Sequence, residues 1–541
     1  MTPHQAPYQA IASTPQPEAT ETAVEILRAG GNAVDAALAA AFVQGVVDPL
    51  MCGIAGFGSM AVRLPGQGVH EYIDFHAPAP AAARPDMWAH LIEGEARDGY
   101  GFQLTGRVND LGHQSVCVPA ALRAYELAHQ RHGTMPWAEL LAPAIAWARD
   151  GWMVRPHVAR WWSAPAVVGR VANTDRLRHT AGARALYCRA DGSSKHPGDT
   201  VVNPDLAATL EAIARGGADA FYRGDIAGVI EADMIAHGGL LRRADLEGYA
   251  PQVLAPLRGQ YRGHEVTTNH PPGGGLMLLQ MLAILERFNL AAIGHNSVEY
   301  VRTVAEAMKR ATADKDSFIG DPRFIEVPVE RLLSAEAADA AAAAIRAGER
   351  VHVPRLVAGL ASRDTTQISL VDAGGGCVSL THSLGMPSGV VPPGLGFMLN
   401  GCMGVFDPRP GRADSIAPGK ARFSSICPSI ILRDGAPVLV IGAPGATQIA
   451  MGVLQAVLNV IDFGMDMAAA VAAPRFSATS DAIDVTNRIP RGITAGLERQ
   501  GYEVLRSPQS HDFGWVHGIR LRDGQTDGGA DPATDGMSMH A

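Results

Sequence analysis

The sequence has few of the features that mark secreted, membrane-bound or metal-binding proteins. Its cysteines form no CxxC or CxH pairing, which argues against a zinc site or a disulfide framework. The N-terminus has no basic segment followed by the apolar run that a secretory signal needs. The most apolar window, Ala33 to Val47, contains Asp35 and Gln44 and is too short to span a bilayer. We therefore expect a cytoplasmic protein with no metal, no membrane partner and reduced, mostly buried thiols.

Charged residues are also few, and they are spread evenly along the chain. Only 18% of the 541 residues are charged, the net charge is −9, and no long block of one sign occurs. This pattern disfavours nucleic acid as a partner and leaves small molecules as the expected ligands. The 47% hydrophobic content predicts a well-buried globule, built either as several lobes or as one large layered domain.

The residue pattern predicts helices and strands in both halves of the chain. Helices are expected at Pro17–Arg28, Ala33–Val47, Leu276–Glu286, Ala335–Ala347 and Gln448–Phe463. Strands at Met60–Leu64 and Val69–Phe75 are expected to pair antiparallel. Two hairpins are predicted later, one turning at Gly374–Gly376 and one joining Pro428–Arg433 to Ala436–Ile441 through Asp434-Gly435. The aperiodic segment Val351–Asp364, which precedes the first of these hairpins, is predicted to be an exposed, cleavable linker.

Asp364-Thr365-Thr366 lies where this linker meets the first hairpin. Cleavage before Thr365 would give that residue a free α-amino group beside its own hydroxyl, which supplies a nucleophile and a base together. An α-amine titrates near 7.7–8.0, so a useful fraction is neutral at physiological pH. Taken alone, the two threonines are better explained by the preference of β-branched residues for strands, and it is the surrounding sequence that favours a nucleophile.

Eight short motifs resemble the gamma-glutamyltranspeptidase family of N-terminal-nucleophile hydrolases and occur in the family's order. They are GGNAVDAA at 30–37, GTMPW at 133–137, QML at 280–282, GDP at 320–322, DTT at 364–366, FSS at 423–425, APGA at 443–446 and DP at 531–532. The resemblance covers nearly the whole chain. It implies an α+β fold, a four-layer αββα sandwich in which two stacked, mainly antiparallel sheets lie between helical layers.

The resemblance also implies that Thr365 cleaves the Asp364–Thr365 bond of its own chain. Residues 1–364, ending in the flexible linker 351–364, would form a large chain, and residues 365–541 a small chain that starts with the nucleophile. The two chains are expected to stay together as a heterodimer, which could dimerise further. No cofactor is required, because the chain itself would supply nucleophile, base and oxyanion donors.

The family's catalytic residues have counterparts in this sequence. Ser383 stands at the place of a hydroxyl that hydrogen-bonds the nucleophile, although it could be a polar residue at a hairpin edge. Gly445 and Ala446 match the two backbone amides of the oxyanion hole, which work whatever the side chain; Pro444-Gly445 could also be a simple turn. Ser424 and Ser425 match two serines that bind the substrate carboxylate, with a turn as the alternative.

The residues that recognise the glutamyl group in the family are replaced in this sequence. His76 occupies the place of a carboxylate-binding arginine, whose planar bidentate contact an imidazole cannot reproduce; a surface or core histidine is the alternative. Gly385, Cys402 and Val405 occupy the places of an asparagine, a glutamine and an aspartate that hold the substrate ammonium group, and none is a strong acceptor. Cys402 is not expected to be a second nucleophile, because no basic neighbour in sequence would lower its pKa.

These observations favour a self-processing amidohydrolase or acylase that forms an acyl-enzyme on an N-terminal threonine, with an acyl group other than ordinary γ-glutamyl. Hydrolysis is favoured over transfer to an amine. A true glutathione hydrolase or γ-glutamyltransferase is the alternative, and an uncleaved binding protein on the same fold is a second one.

Overall fold

Two antiparallel sheets form the centre of the computed structural model, which describes residues 8–95, 99, 101–164, 170–355 and 365–541. The first sheet has seven strands, in the spatial order Met537–His540, Ile11–Thr14, Thr366–Val371, Cys377–Ser383, Phe57–Leu64, Val69–Phe75 and Gln252–Leu254. The second has six, in the order Gln525–Gly529, His517–Arg522, Ala436–Gly442, Ser429–Arg433, His264–Thr268 and Leu257–Tyr261. Smaller sheets join Ile92–Glu95 to Phe102–Leu104, Trp152–Met153 to Thr200–Val201, and Ile483–Val485 to both Phe476–Ser477 and Val504–Arg506.

Helices cover both outer faces of the paired sheets. Ala33–Val47 packs on the seven-stranded sheet, while Gly275–Leu285 and Ile449–Ile461 pack on the six-stranded one. The other helices are Pro17–Arg28, Ala121–His132, Trp137–Asp150, Pro156–Trp162, Asn173–Arg178, Ala181–Tyr187, Pro204–Gly216, Asp219–Tyr222, Asp225–Ala236, Arg243–Glu247, Leu290–Ile293, Val298–Phe318, Val329–Leu332, Ala335–Arg346, Met467–Ala472 and Arg491–Arg499. The expected αββα sandwich is confirmed.

The space between the two sheets contains apolar side chains and buried, hydrogen-bonded polar side chains such as Gln367, Ser369 and Ser379. The apolar ones include Ile11, Ala61, Tyr72, Val371, Cys377, Ile430, Leu432, Val440, Ile519 and Leu521. Strand Thr366–Val371 is buried along its whole length because one of its faces meets helix Ala33–Val47 and the other meets the second sheet.

Local sequence signals explain the start of helix Ala33–Val47. The Asn32 side chain accepts from the N–H groups of Val34 and Asp35, and Asp35 accepts in return from the Asn32 N–H. Asp35 also accepts a 2.5 Å bond from Thr134 Oγ1. The GGNAVDAA and GTMPW motifs therefore meet in space at this capping box.

Several predicted boundaries move by a few residues. The strand expected from Met60 begins at Phe57, because Gly58 lies within the sheet, where a Cβ atom would collide with the Thr381 carbonyl oxygen. The six cysteines are free thiols and all but Cys188 are buried. Among the described residues, no helix combines the length and apolar character needed to cross a membrane.

The start of the predicted linker is held by specific contacts. The Val353 N–H donates to Asp481 at 2.7 Å, and Arg355 forms an ion pair with Asp316 at 2.7 Å. Residues 351–355 are thus more ordered than their composition indicates. Residues 356–364, including Asp364 and the predicted cleavage bond, lie outside the described residues.

Candidate active site

Thr365 and Ser383 are cross-strand neighbours at the open end of the first hairpin. The register pairs Thr366 with His382, so one further step places Thr365 opposite Ser383. Their hydroxyl oxygens are 3.1 Å apart, with Thr365 donating to Ser383. Ser383 Oγ also accepts the Gly385 N–H at 2.8 Å. The eighteen-residue separation of Thr365 and Ser383 therefore follows from the register of this hairpin.

The nucleophile candidate faces the second sheet. Side chains two apart on a strand point to the same side, and Ser369 and Ser379 in the hairpin both reach the second sheet. Ser369 Oγ donates to the His517 carbonyl at 3.0 Å, and Ser379 Oγ donates to the Ile441 carbonyl at 2.9 Å. Thr365 and Ser383 have the same parity and are 4% and 1% exposed. Their hydroxyls therefore lie between the sheets in a mostly dry environment.

The hydrogen bond between Ser379 and Ile441 also joins the hairpin to the strand that leads to the proposed oxyanion donors. Strand Ala436–Gly442 ends just before Gly445 and Ala446. Gly445 has φ +145°, and a Cβ atom there would lie 2.8 Å from Gly514 Cα, so glycine is required. Within the described part of the chain, neither amide N–H donates a hydrogen bond to another group. Two unused donors on a fixed turn are what an oxyanion site requires.

One member of the serine pair, Ser425, contacts this turn directly. Ser425 Oγ donates to the Ala446 carbonyl oxygen, and the Ser424 N–H donates to the Pro272 carbonyl at 2.9 Å. Val405 and Ala446 belong to one small buried cluster with Met386, the residue after Gly385. Ser425, Val405 and Gly385 are thereby brought to the same end of the sandwich as Thr365.

Thr365 and Ser383 begin a row of residues that lie side by side on neighbouring strands, and His76 is the last residue of this row. Ser383 pairs with Phe57, and the register of the next strand places Phe57 opposite His76. The Phe57 and His76 rings are 5.8 Å apart between centroids. His76 Nδ1 lies 2.9 Å from Asp74 Oδ2, and among the described residues its buried Nε2 has no hydrogen-bond partner. His76 is therefore a buried residue of the site and not a surface histidine.

A cation that the sequence did not single out lies beside this row. The Arg422 guanidinium carbon is 4.5 Å from the centre of the Phe57 ring, and Nη1 donates to the Phe423 carbonyl at 2.7 Å. Arg422 is only 2% exposed. Its segment is held by Asp321 of the GDP motif, which accepts the Ala421 N–H at 2.8 Å. Its place two residues before the serine pair was the only sequence signal.

Gly385 and Cys402 contact Arg422. A Cβ atom on Gly385 would lie 2.8 Å from Cys402 Sγ and 3.0 Å from Arg422 Nη2, and Gly385 has φ +73°. Burial raises the pKa of the Cys402 thiol to about 11, although the charge and hydrogen bond of Arg422 oppose the shift. Cys402 is thus a neutral thiol, in agreement with the expectation that it is not a nucleophile.

A buried polar network lies behind the nucleophile. His382 contacts Tyr125 Oη and Gln44 Oε1, each at 2.6 Å, and Gln44 also donates to Thr366 Oγ1 at 3.1 Å. Burial lowers the pKa of His382 to about 3. This neutral imidazole anchors the first residues of the hairpin to helix Ala33–Val47.

The chain is similar to known proteins over most of its length. The sequence model of the family described as gamma-glutamyltranspeptidase matches residues 19–541. The chain belongs to this family. It is 37% identical over 501 residues to the acylase ACY 1 proenzyme of Pseudomonas sp. (strain SE83), covering 92% of this chain and 87% of the relative. It is 34% identical over 485 residues to the glutathione hydrolase proenzyme of Escherichia coli (strain K12), covering 86% and 80%.

A solved family member has the same architecture over the whole length. The crystal structure of cephalosporin acylase from Bacillus halodurans matches with a TM-score of 0.85 and 27% identity, covering 100% of this chain and 98% of that one. The family fold thus includes proteins named as acylases as well as proteins named as glutathione hydrolases.

A second cluster of potential ligand groups lies apart from these family positions. Among the described residues, His113, Asp233 and His237 place one donor atom each within 4.8 Å of one another. His113 Nε2 is 3.0 Å from Asp233 Oδ2, and His237 Nδ1 is 3.2 Å from Asp233 Oδ1. The His113 ring hydrogen-bonds the Asp233 carboxylate, and His237 Nδ1 hydrogen-bonds the Asp233 backbone carbonyl at 2.9 Å, which accounts for this arrangement.

Proposed function

We propose that this protein is a self-processing amide hydrolase in which Thr365 becomes the N-terminal nucleophile. The observation that carries the proposal is the hydroxyl pair of Thr365 and Ser383 at the open end of a buried hairpin. Membership of a family with proenzymes named acylase and glutathione hydrolase supports it.

Processing and turnover would use the same atoms. In processing, Thr365 Oγ1 attacks the Asp364 carbonyl carbon, the C–N bond breaks, and the Thr365 nitrogen takes the hydroxyl proton, which leaves an ester on Oγ1 and a free α-amine. Water then hydrolyses the ester and releases the Asp364 carboxylate and the Thr365 hydroxyl. In turnover, the α-amine takes the hydroxyl proton as Oγ1 attacks the substrate amide carbonyl. The C–N bond of the tetrahedral intermediate breaks, the leaving amine takes the proton, and water releases the acyl group from Thr365.

The surrounding residues would supply electrostatic support. The N–H groups of Gly445 and Ala446 would bind the oxygen that becomes negative in the tetrahedral intermediate. Ser383 would hold the Thr365 hydroxyl in the orientation needed for attack. Ser424 and Ser425 would bind the acyl group. Losing one oxyanion donor typically costs about 10²–10³ in rate.

The acyl group is not expected to be ordinary γ-glutamyl. The side chains at Gly385, Cys402 and Val405 offer no carboxylate or amide oxygen to an ammonium group, and all three residues are buried. Burying an ammonium group without a partner costs several kcal/mol. We expect a small carboxylated acyl amide, and hydrolysis in preference to transfer.

Both processed chains would contribute strands to one sheet. Strand Thr366–Val371 of the small chain pairs with Ile11–Thr14, and Cys377–Ser383 pairs with Phe57–Leu64. Dissociation would break the ladder on both sides of this hairpin, so a stable heterodimer of residues 1–364 and 365–541 is expected. A cytoplasmic location and further dimerisation remain predictions.

Intact mass spectrometry of the purified protein beside Thr365→Ala tests the proposal. We expect two fragments, the smaller starting at Thr365 and carrying roughly a third of the 56.8 kDa mass, and a single intact Thr365→Ala chain. Thr365→Ser is the matched control, because it keeps the attacking oxygen and should still cleave. An intact wild-type chain after long incubation, or cleavage that persists in Thr365→Ala, would contradict the proposal.

A further inference from the structure

Thr366 places a second hydroxyl next to the candidate nucleophile, in different surroundings. Successive side chains of a strand point to opposite faces, so Thr366 faces helix Ala33–Val47 whereas Thr365 faces the second sheet. Thr366 is fully buried, and its Oγ1 donates to Gln16 Oε1 at 3.2 Å and accepts from Gln44 Nε2 at 3.1 Å. Because this hydroxyl already donates and accepts within the protein, Thr366 is not suited to be a second nucleophile.

The two glutamines that hold Thr366 are themselves held in one orientation. Gln16 Nε2 donates to Asp48 Oδ2 at 2.9 Å, which turns Gln16 Oε1 toward Gln44 and Thr366. Gln44 Nε2 donates to Gln16 Oε1 at 2.6 Å. All four residues are buried. The carboxylate of Asp48 therefore sets the direction of the hydrogen bonds that reach the Thr366 hydroxyl.

The same hydrogen bonds extend to the neighbouring strand of the hairpin. Thr366 pairs with His382 across the ladder, and His382 Nε2 lies 2.6 Å from Gln44 Oε1. An amide oxygen can only accept, so His382 carries its proton on Nε2 and its Nδ1 accepts from Tyr125 Oη at 2.6 Å. Gln44 thus holds both strands at the open end of the hairpin.

This open end is where cleavage would create a new chain terminus. The strand begins at Thr366, so Thr365 precedes the regular ladder. The first residues of a chain fray unless specific contacts hold them. Ser383 holds the Thr365 hydroxyl at 3.1 Å, and the backbone that carries this hydroxyl is fixed at the next residue, Thr366. Gln16 and Gln44, which hold Thr366, both belong to the large chain of the proposed processed enzyme.

We infer that Thr366 is a positioning residue, whose hydroxyl keeps the new N-terminus from fraying and thereby keeps the Thr365 hydroxyl and α-amine in place for turnover. This inference rests on the proposed cleavage before Thr365. In the uncut chain, residue 365 is still joined to residue 364, so the Thr366 hydroxyl matters less before cleavage than after it. Its loss should reduce turnover more than processing, whereas a general loss of stability would not separate the two steps.

Thr366→Val tests this role, because valine keeps the shape and β-branching of threonine without the hydroxyl. The substrate is whichever of glutaryl-, valeryl- and γ-glutamyl-p-nitroanilide the wild type hydrolyses fastest. We expect kcat of the mature enzyme to fall about tenfold to a hundredfold, since a 1 Å misplacement of a reacting group can cost about 10²-fold. KM and the processing half-life, measured by intact mass, should stay within about threefold. Thr366→Ser keeps the hydroxyl and should restore kcat to within a few-fold of the wild type.

Ser369→Ala is the matched control. It removes another fully buried hydroxyl from the same strand, one that donates to the His517 carbonyl at 3.0 Å and lies further from the new terminus. Its kcat should stay close to that of the wild type. An equal fall of kcat in Ser369→Ala would show that any buried hydroxyl lost from this strand has the same effect, and would overturn the inference.

The outcomes separate this inference from the proposed function. If the wild type cleaves before Thr365, then unchanged turnover in Thr366→Val, or equal slowing of processing and turnover, would overturn the role of Thr366 alone. A wild type that does not cleave would overturn the proposed function itself. If Thr366→Val fails to fold, hydrogen exchange of the mature wild type decides. The amides of residues 366–368 should exchange as slowly as those of residues 369–371, and fast exchange confined to residues 366–368 contradicts the inference.

Discussion

The hydroxyl of Ser383 is predicted to control both processing and turnover, and Ser383→Ala tests this role. In the structure, Ser383 Oγ accepts from Thr365 Oγ1 at 3.1 Å and from the Gly385 N–H at 2.8 Å. The substitution removes both contacts while leaving the strand intact.

The size of the effect follows from these two bonds. A hydrogen bond contributes about 0.5–1.5 kcal/mol net, and a buried donor left without an acceptor costs about 1–3 kcal/mol. Because 1.4 kcal/mol is a factor of ten in rate, a loss of about 1.5–4 kcal/mol at the transition state predicts a tenfold to thousandfold fall in kcat.

The assay compares processing half-life by intact mass and kcat of the mature enzyme for wild type, Ser383→Ala and Ser383→Thr. The threonine variant keeps the oxygen and should stay within a few-fold of wild type. A Ser383→Ala enzyme that processes and turns over at the wild-type rate would refute the reasoning, because Thr365 would then need no cross-strand partner.

Two further predictions concern the oxyanion turn and the buried network behind the nucleophile. Gly445→Ala should slow processing and turnover by about 10²–10³-fold, since its Cβ atom would push the turn away from Gly514 and misplace the amide donors; unchanged rates would argue against the assigned donors. His382 has a pKa of about 3 in the folded chain against 6.5 unfolded, so the free energy of unfolding should fall as pH drops below 6.5. The loss should be about 2 kcal/mol at pH 5, and His382→Gln should reduce it in urea titrations at pH 5 and 7.5; an equal loss in the variant would exclude His382 as the cause.

Much of the fold could be predicted because the signals are local. Helix Pro17–Arg28 and strand Val69–Phe75 have the predicted ends. The hairpin at Asp434-Gly435 forms as expected, with φ of +51° and +78° at the two turn residues. The prediction fails where a segment distant in sequence sets the structure: the strand predicted from Met60 begins at Phe57, and Gly58 lies within it, close to the Thr381 carbonyl oxygen.

In the site, too, some features could be predicted from local sequence and others could not. The facing hydroxyls of Thr365 and Ser383 depend on one hairpin, whose register the spacing of the two residues already encodes. Arg422 lies in a segment with no regular structure, and no period in the sequence tells which way such a side chain points. Asp321 holds the backbone of the preceding residue, Ala421, while the Arg422 side chain lies over Phe57 and beside Gly385; all three partners are distant in sequence.

The sequence by itself therefore determined how this protein is expected to act: the family, the layered fold, the candidate nucleophile and its cross-strand hydroxyl. It also predicted, from the family resemblance, that Gly385, Cys402 and Val405 replace the groups that hold the substrate ammonium. Only the tertiary structure placed a cation in that space, because the orientation of Arg422 depends on packing between segments far apart in the chain.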